Sequence, residues 1–116
     1  MPTMKKAASA VLMAVLALPC LSGRASAEDA VTIPVTIENH RYTPEEIHIP
    51  AGKEVVLQVE NRDPSAEEFE SSVLNIEKVI AGGHRSPVRL HGLAAGRYPF
   101  IGEFHQETAH GVIISE

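Results

Sequence analysis

Two short segments concentrate the side chains able to do chemistry. Glu67-Glu68-Phe69-Glu70 follows the loop-forming run Asn61-Arg62-Asp63-Pro64-Ser65, and Gly102-Glu103-Phe104-His105 is followed by His110. On a strand, Glu67 shares a face with Phe69 while Glu68 and Glu70 share the other. Neighbouring carboxylates repel, and a cation relieves that repulsion. Glu103 and His105 stand two apart and point the same way on extended backbone. One carboxylate with one imidazole suits a divalent transition metal or ferric iron. The candidate metal ligands are therefore Glu67, Glu68, Glu103 and His105, with His110 in reserve. An acidic run after a loop is ordinarily a solvated face, and a solitary histidine is ordinarily a surface residue. His48, His84 and His91 keep that ordinary reading, and His40, beside Asn39, stands only slightly above them.

Other chemistries find no footing. The sequence has no glycine-rich phosphate loop, no nucleophile elbow and no His-Glu-x-x-His helix. Gly82-Gly83 has no lysine-serine continuation and reads as a hairpin turn. A single cysteine makes neither an internal disulfide nor a zinc site of the Cys-pair kind. The net charge of −5 disfavours nucleic acid, whose binding depends on clustered Lys and Arg.

Residues 1–27 read as a secretory signal peptide. Lys5 and Lys6 form its charged start, Val11–Leu18 its apolar run and Ala25-Ser26-Ala27 its small-residue cleavage site. The apolar run is about half the ~20 residues that span a bilayer. Pro19 before Cys20 argues against lipoprotein processing, which wants a small residue there. Cleavage after Ala27 gives a mature domain of residues 28–116, exported to the periplasm. It keeps seven basic against fifteen acidic side chains, a net −8, and it loses Cys20, the sole thiol.

The elements that must position the candidates read as β throughout. Val31, Ile33, Val35 and Ile37 alternate on one face, and Pro34 requires that strand to be an edge or to carry a bulge. Lys53–Glu60 alternates with Val55, Leu57 and Val59 inward. Shorter strands are expected at Ile47–Ile49, Phe69–Leu74, Glu77–Ile80, Pro87–His91, Arg97–Ile101 and Gly111–Ser115. Helical turns fit within 66–78 and 104–110. Turn signals about every ten residues indicate a single all-β sandwich or barrel.

Residues 31–116 resemble the cupredoxin fold in layout. Asn39-x-x-Tyr42-x-Pro44-x-x-Ile47-x-Ile49-Pro50-Ala51-Gly52 is similar to that family's opening strand and turn. Val55–Asn61 with Asp63 resembles its next strand, and Gly96-x-Tyr98-x-Phe100 with Gly111-x-Ile113 its closing hairpin. The resemblance implies a Greek-key β-sandwich or barrel and carries its copper ligands over only in part. A histidine of the blue-copper site falls at Glu67, the cysteine at Gly102 and the second histidine at His105, with His110 near the axial methionine position. The resemblance therefore excludes a type 1 blue copper centre. Glu68-Phe69-Glu70 and Gly102-Glu103-Phe104-His105 are similar to cupredoxin-like domains of the EfeO type, associated with bacterial periplasmic iron uptake. That likeness favours Glu68, whereas the blue-copper likeness favours Glu67. Such proteins often carry a second, metallopeptidase-like domain, for which 116 residues leave no room.

The function expected is periplasmic metal binding, with Cu(II) or Fe(III) as the ion, serving iron or copper uptake. An inner-membrane iron permease or its periplasmic partners would receive the metal. The alternative is a metal-free β-sandwich docking on a transporter or another periplasmic partner. A small ferrous-iron oxidase is a third reading, which needs a redox-active copper and turnover that no sequence motif supplies.

Overall fold

The computed structural model describes residues 30–116, and Thr3 before them. Apart from Thr3, the expected signal peptide, including Cys20, lies outside the described residues. Nine strands form two sheets and, among the described residues, there is no α-helix. The first sheet contains β1 (Val31–Glu38), β2 (Arg41–Thr43), β4 (Glu54–Asn61) and β7 (Arg85–His91) in the order β2-β1-β4-β7. The second contains β3 (Glu46–Ile49), β5 (Glu67–Ser71), β6 (Ile76–Ile80), β8 (Gly96–Gly102) and β9 (His110–Ser115) in the order β3-β9-β8-β5-β6. The fold is the all-β, two-sheet sandwich expected from the alternation.

Each strand follows from its pattern. On β1, Val35 and Ile37 are buried and Thr36 between them is half-buried on the other face. Pro34 is accommodated because β2 covers β1 only from Thr36 to Glu38, leaving the first half of the strand free on that side. Pro87 sits on β7, which ends its sheet. On β4, Val55, Leu57 and Val59 are buried as the alternation requires.

Two of the boundaries that differ from expectation bear on the candidate site. The strand expected at Phe69–Leu74 begins at Glu67 and stops at Ser71, because Ser72–Asn75 turns back with Asn75 at φ 55°. Glu103–His105, expected as extended backbone carrying its ligands on one face, is one turn of 3-10 helix.

The core lies between the sheets. Val35, Ile37, Leu57, Ile47 and Ile113 surround three aromatic rings, Tyr42, Phe69 and Phe100. Tyr42 meets Phe69 and Phe100 edge-on, and Phe69 stacks on Phe100 with centroids 4.9 Å apart. Phe69 is two residues beyond Glu67 and Phe100 two residues before Gly102. Strand parity therefore carries the core face straight into the candidate site.

Candidate metal centre

β5 presents Glu67, Phe69 and Ser71 inward, with Glu68 and Glu70 on the other, half-buried face. Glu67 is consequently a carboxylate on a core face, only 1% exposed. A buried charge must be fully hydrogen-bonded or paired. Glu67 meets that condition with three contacts. Its Oε1 accepts the backbone amides of Glu68 and Phe104, each at 2.9 Å. Its Oε2 lies 2.5 Å from His105 Nδ1.

The turn that delivers His105 is closed by the backbone. Gly102 donates to the Ala109 carbonyl at 2.7 Å, and Ala109 donates back to the His105 carbonyl at 2.8 Å. Gly102 is also a steric requirement. A Cβ there would lie 2.6 Å from the Ala109 Cβ, 2.7 Å from the Glu67 Cδ and 2.9 Å from its Oε1. The Glu67 carboxylate fills the space into which a side chain at 102 would project.

A second histidine covers the pair. The His40 ring lies parallel to His105, with centroids 3.5 Å apart and an interplanar angle of 11°. His40 is held by Asp63, whose carboxylate oxygens accept the Asn39 amide at 2.8 Å and the His40 amide at 2.9 Å. Asp63 is buried, and burial works against its charge. Those two amides, helped by the nearby His40 and His105, nonetheless hold its carboxyl below the ordinary value. Tyr42 is pushed the other way. Burial raises its phenol, and the Glu67 carboxylate adds to the rise.

The five candidate ligands do not converge. Glu67 and His105 meet. Glu68 points away from the Glu67 face. Glu103 does not share a face with His105, since a 3-10 turn rotates roughly 120° per residue whereas extended backbone returns every second side chain to one side. Its carboxylate faces Glu70 instead. That shared hydrogen bond, with burial and the charges of Glu103, Glu77 and Glu68, pushes the Glu70 carboxyl up to about 7. His110 is exposed at the start of β9, opposite Ile101, and makes no hydrogen bond to Glu67 or His105. His48 and His91 contact surface carboxylates of Glu116 and Glu54, and His84 the Gly82 carbonyl. The sequence raises His40 only slightly above the other histidines and gives no sign of the anchoring role of Asp63. The available signal was the Asn39-His40 dipeptide between two alternating strands, which marks a two-residue turn.

The donor set rejects one kind of metal centre and admits another. A type 1 copper site needs a thiolate, and position 102 offers neither a sulfur nor room for one. Glu67 Oε2 and His105 Nδ1 are an oxygen and a nitrogen donor face to face, suited to a borderline or hard ion. Among the described residues no group of three His, Cys, Asp or Glu side chains is placed to hold one ion. Protein donors to an ion at this place therefore number two.

A family model described as "Cupredoxin-like domain" matches residues 10–115. An uncharacterized protein of Rickettsia prowazekii (strain Madrid E) is 33% identical over 87 residues, covering 75% of this chain and 70% of its own. The metal binding domain of the Cu(I)-exporting P-type ATPase CopA from Streptococcus pneumoniae D39 is similar in structure, with TM-score 0.67 and 18% identity. The match covers 75% of this chain and 86% of that one. Auracyanin A, a blue copper protein from Chloroflexus aurantiacus, gives TM-score 0.64 at 16% identity, over 75% of this chain and 99% of its own. At such identities these structures speak to the fold alone.

Proposed function

Because the chain belongs to the cupredoxin-like domain family, we propose that it binds a single metal ion through Glu67 and His105. The observation that carries this reading is a carboxylate 1% exposed, on the core face of β5, directed at an imidazole nitrogen 2.5 Å away. Two donors from different segments meet at one end of the sandwich. A separation widened to roughly 3 Å admits an ion at bonds of ~2 Å to each. Cu(II) leads, since imidazole is a borderline donor and similar folds include proteins described as copper-binding. Fe(III) is the second candidate, and the EfeO-like motifs are its only support. Protons compete for both donors, so affinity falls as the pH drops.

The same reading makes residues 1–27 a cleaved leader and the site of action the periplasm, in service of copper or iron uptake with a membrane permease as recipient. Titrating Cu(II) and Fe(III) into the purified protein, and into Glu67→Ala and His105→Ala, tests it. Stoichiometric binding lost in both variants is the expected result. No binding by the parent protein, or equal binding by all three, overturns it. In cells, the protein should appear in the periplasmic fraction with Glu28 as its first residue.

A second reading rests on the complete hydrogen bonding of Glu67. A carboxylate already satisfied by two amides and an imidazole needs no ion to be stable. A metal-free docking module then follows, in which Glu67→Ala and His105→Ala leave partner binding intact and no metal copurifies.

A further inference from the structure

The β1–β2 hairpin turns in two residues, Asn39 and His40, since Glu38 pairs directly with Arg41. Both turn residues are left-handed, at φ 54° and 56°. Such mirror-image turns match the twist of the strands and favour Asn followed by Gly. Asn39 obeys that preference and His40 breaks it, placing a bulky side chain where glycine would relieve the strain. The strain is held in place from both sides. Asp63 takes the two turn amides, and the Thr108 hydroxyl donates to the His40 carbonyl at 2.6 Å, tying the turn to the loop that carries His105. The outcome is the parallel stack of the two imidazoles.

We propose that His40 is a positioning residue for His105: its ring fixes the plane of the His105 imidazole so that Nδ1 stays directed at Glu67. A metal-ligating histidine is usually oriented by a hydrogen bond at its other ring nitrogen. Among the described residues, the His105 ring forms a hydrogen bond only through Nδ1. Glu67 restrains the ring within its plane, and the stack restrains the tilt out of it. A left-handed histidine is what places a flat ring at that height over His105.

This inference rests on the metal-binding reading and is tested with the full chain and two variants. His40→Gly relieves the turn and deletes the ring, whereas His40→Phe keeps both the strain and a flat ring but has no nitrogen. Cu(II) titration, thermal melting and the NMR resonances of the His105 ring in metal-free protein are the readouts. In His40→Gly we expect Cu(II) affinity to fall about tenfold without a fall in Tm. The His105 ring protons, shielded by the stacked ring, should move downfield. His40→Phe should recover most of the affinity and keep the shielding. Parent-like Cu(II) affinity or unchanged ring shifts in His40→Gly overturn the proposal. Affinity as weak in His40→Phe as in His40→Gly also overturns it, because His40 would then act as a donor. A parent protein that binds no Cu(II) overturns the metal reading instead, and the ring resonances still decide whether His40 orients His105.

Discussion

Glu67 and Glu70 lie on opposite faces of β5, and each meets a residue of the turn Glu103–His105. Inward, Glu67 finds an imidazole and two backbone amides. Outward, Glu70 finds the Glu103 carboxylate. The two encounters have opposite sign. A buried carboxylate with donors on every side binds the turn to the sheet, whereas a half-buried carboxylate facing another resists ionisation. Strand parity on β5 and the rotation of the 3-10 turn produce both. Alike residue types in one segment thus divide into a candidate site and a repulsive surface pair.

The inward encounter should be the costlier to break. Glu67→Ala orphans the Glu68 and Phe104 amides and removes the partner of His105. Leaving buried polar groups unpaired should cost about 3 kcal/mol of stability, measured by urea unfolding. Outward, Glu70→Ala should leave the urea midpoint close to that of the parent. Equal losses at the two positions would erase the contrast. Gly102→Ala probes the same pocket from the β8 side. Its methyl group would meet Ala109 and the Glu67 carboxylate at 2.6–2.9 Å. Overpacking there should cost about 2 kcal/mol. It should also weaken metal binding by displacing the carboxylate.

How far the sequence foretells this division depends on which physical signal each residue leaves. β1 and β4 were readable to within a residue because their apolar alternation is long and unbroken. β5 was placed two residues late, since its first inward residue is Glu67, a charge that apolar periodicity counts as outward. The pairing of Glu67 with Phe69 on one face was legible from parity alone. Glu103 and His105 were assigned to one face because a three-residue 3-10 turn has no period of its own to detect. His40 was out of reach of spacing arguments, since its hairpin belongs to the other sheet and reaches His105 only through the fold. Gly102 was visible as a missing cysteine. Its role as room for the Glu67 carboxylate belongs to the structure.

Asp63 offers a smaller test, from the support of the inward region. Asp63→Asn retains one acceptor oxygen and loses the other, so one of the two turn amides goes unpaired. The expected cost is about 1.5 kcal/mol at pH 7. Since the Asp63 carboxyl is held below its ordinary 3.8, the folded protein binds fewer protons there than the unfolded chain. Its contribution is therefore complete above about pH 4 and is lost as the pH falls through the depressed folded value. In Asp63→Asn that acid limb should shrink. A variant with an unchanged acid limb would remove Asp63 from the anchoring of the turn.

The outward encounter should give the smallest effect and the reverse sign. The Glu70 carboxyl is raised from 4.5 to about 7, first by the hydrogen bond it shares with Glu103. The folded protein consequently binds more protons there than the unfolded chain across that interval, and stability declines as the pH rises through it. Glu103→Gln removes one of the opposed charges and supplies an amide that can donate to Glu70. At pH 8, above the raised Glu70 value, the variant should melt at a higher temperature. At pH 5, where Glu70 already carries its proton, the gain should nearly vanish. Because Glu103 points away from the Glu67–His105 pair, Cu(II) affinity should follow the parent. A loss of affinity in Glu103→Gln would join the two faces that β5 holds apart.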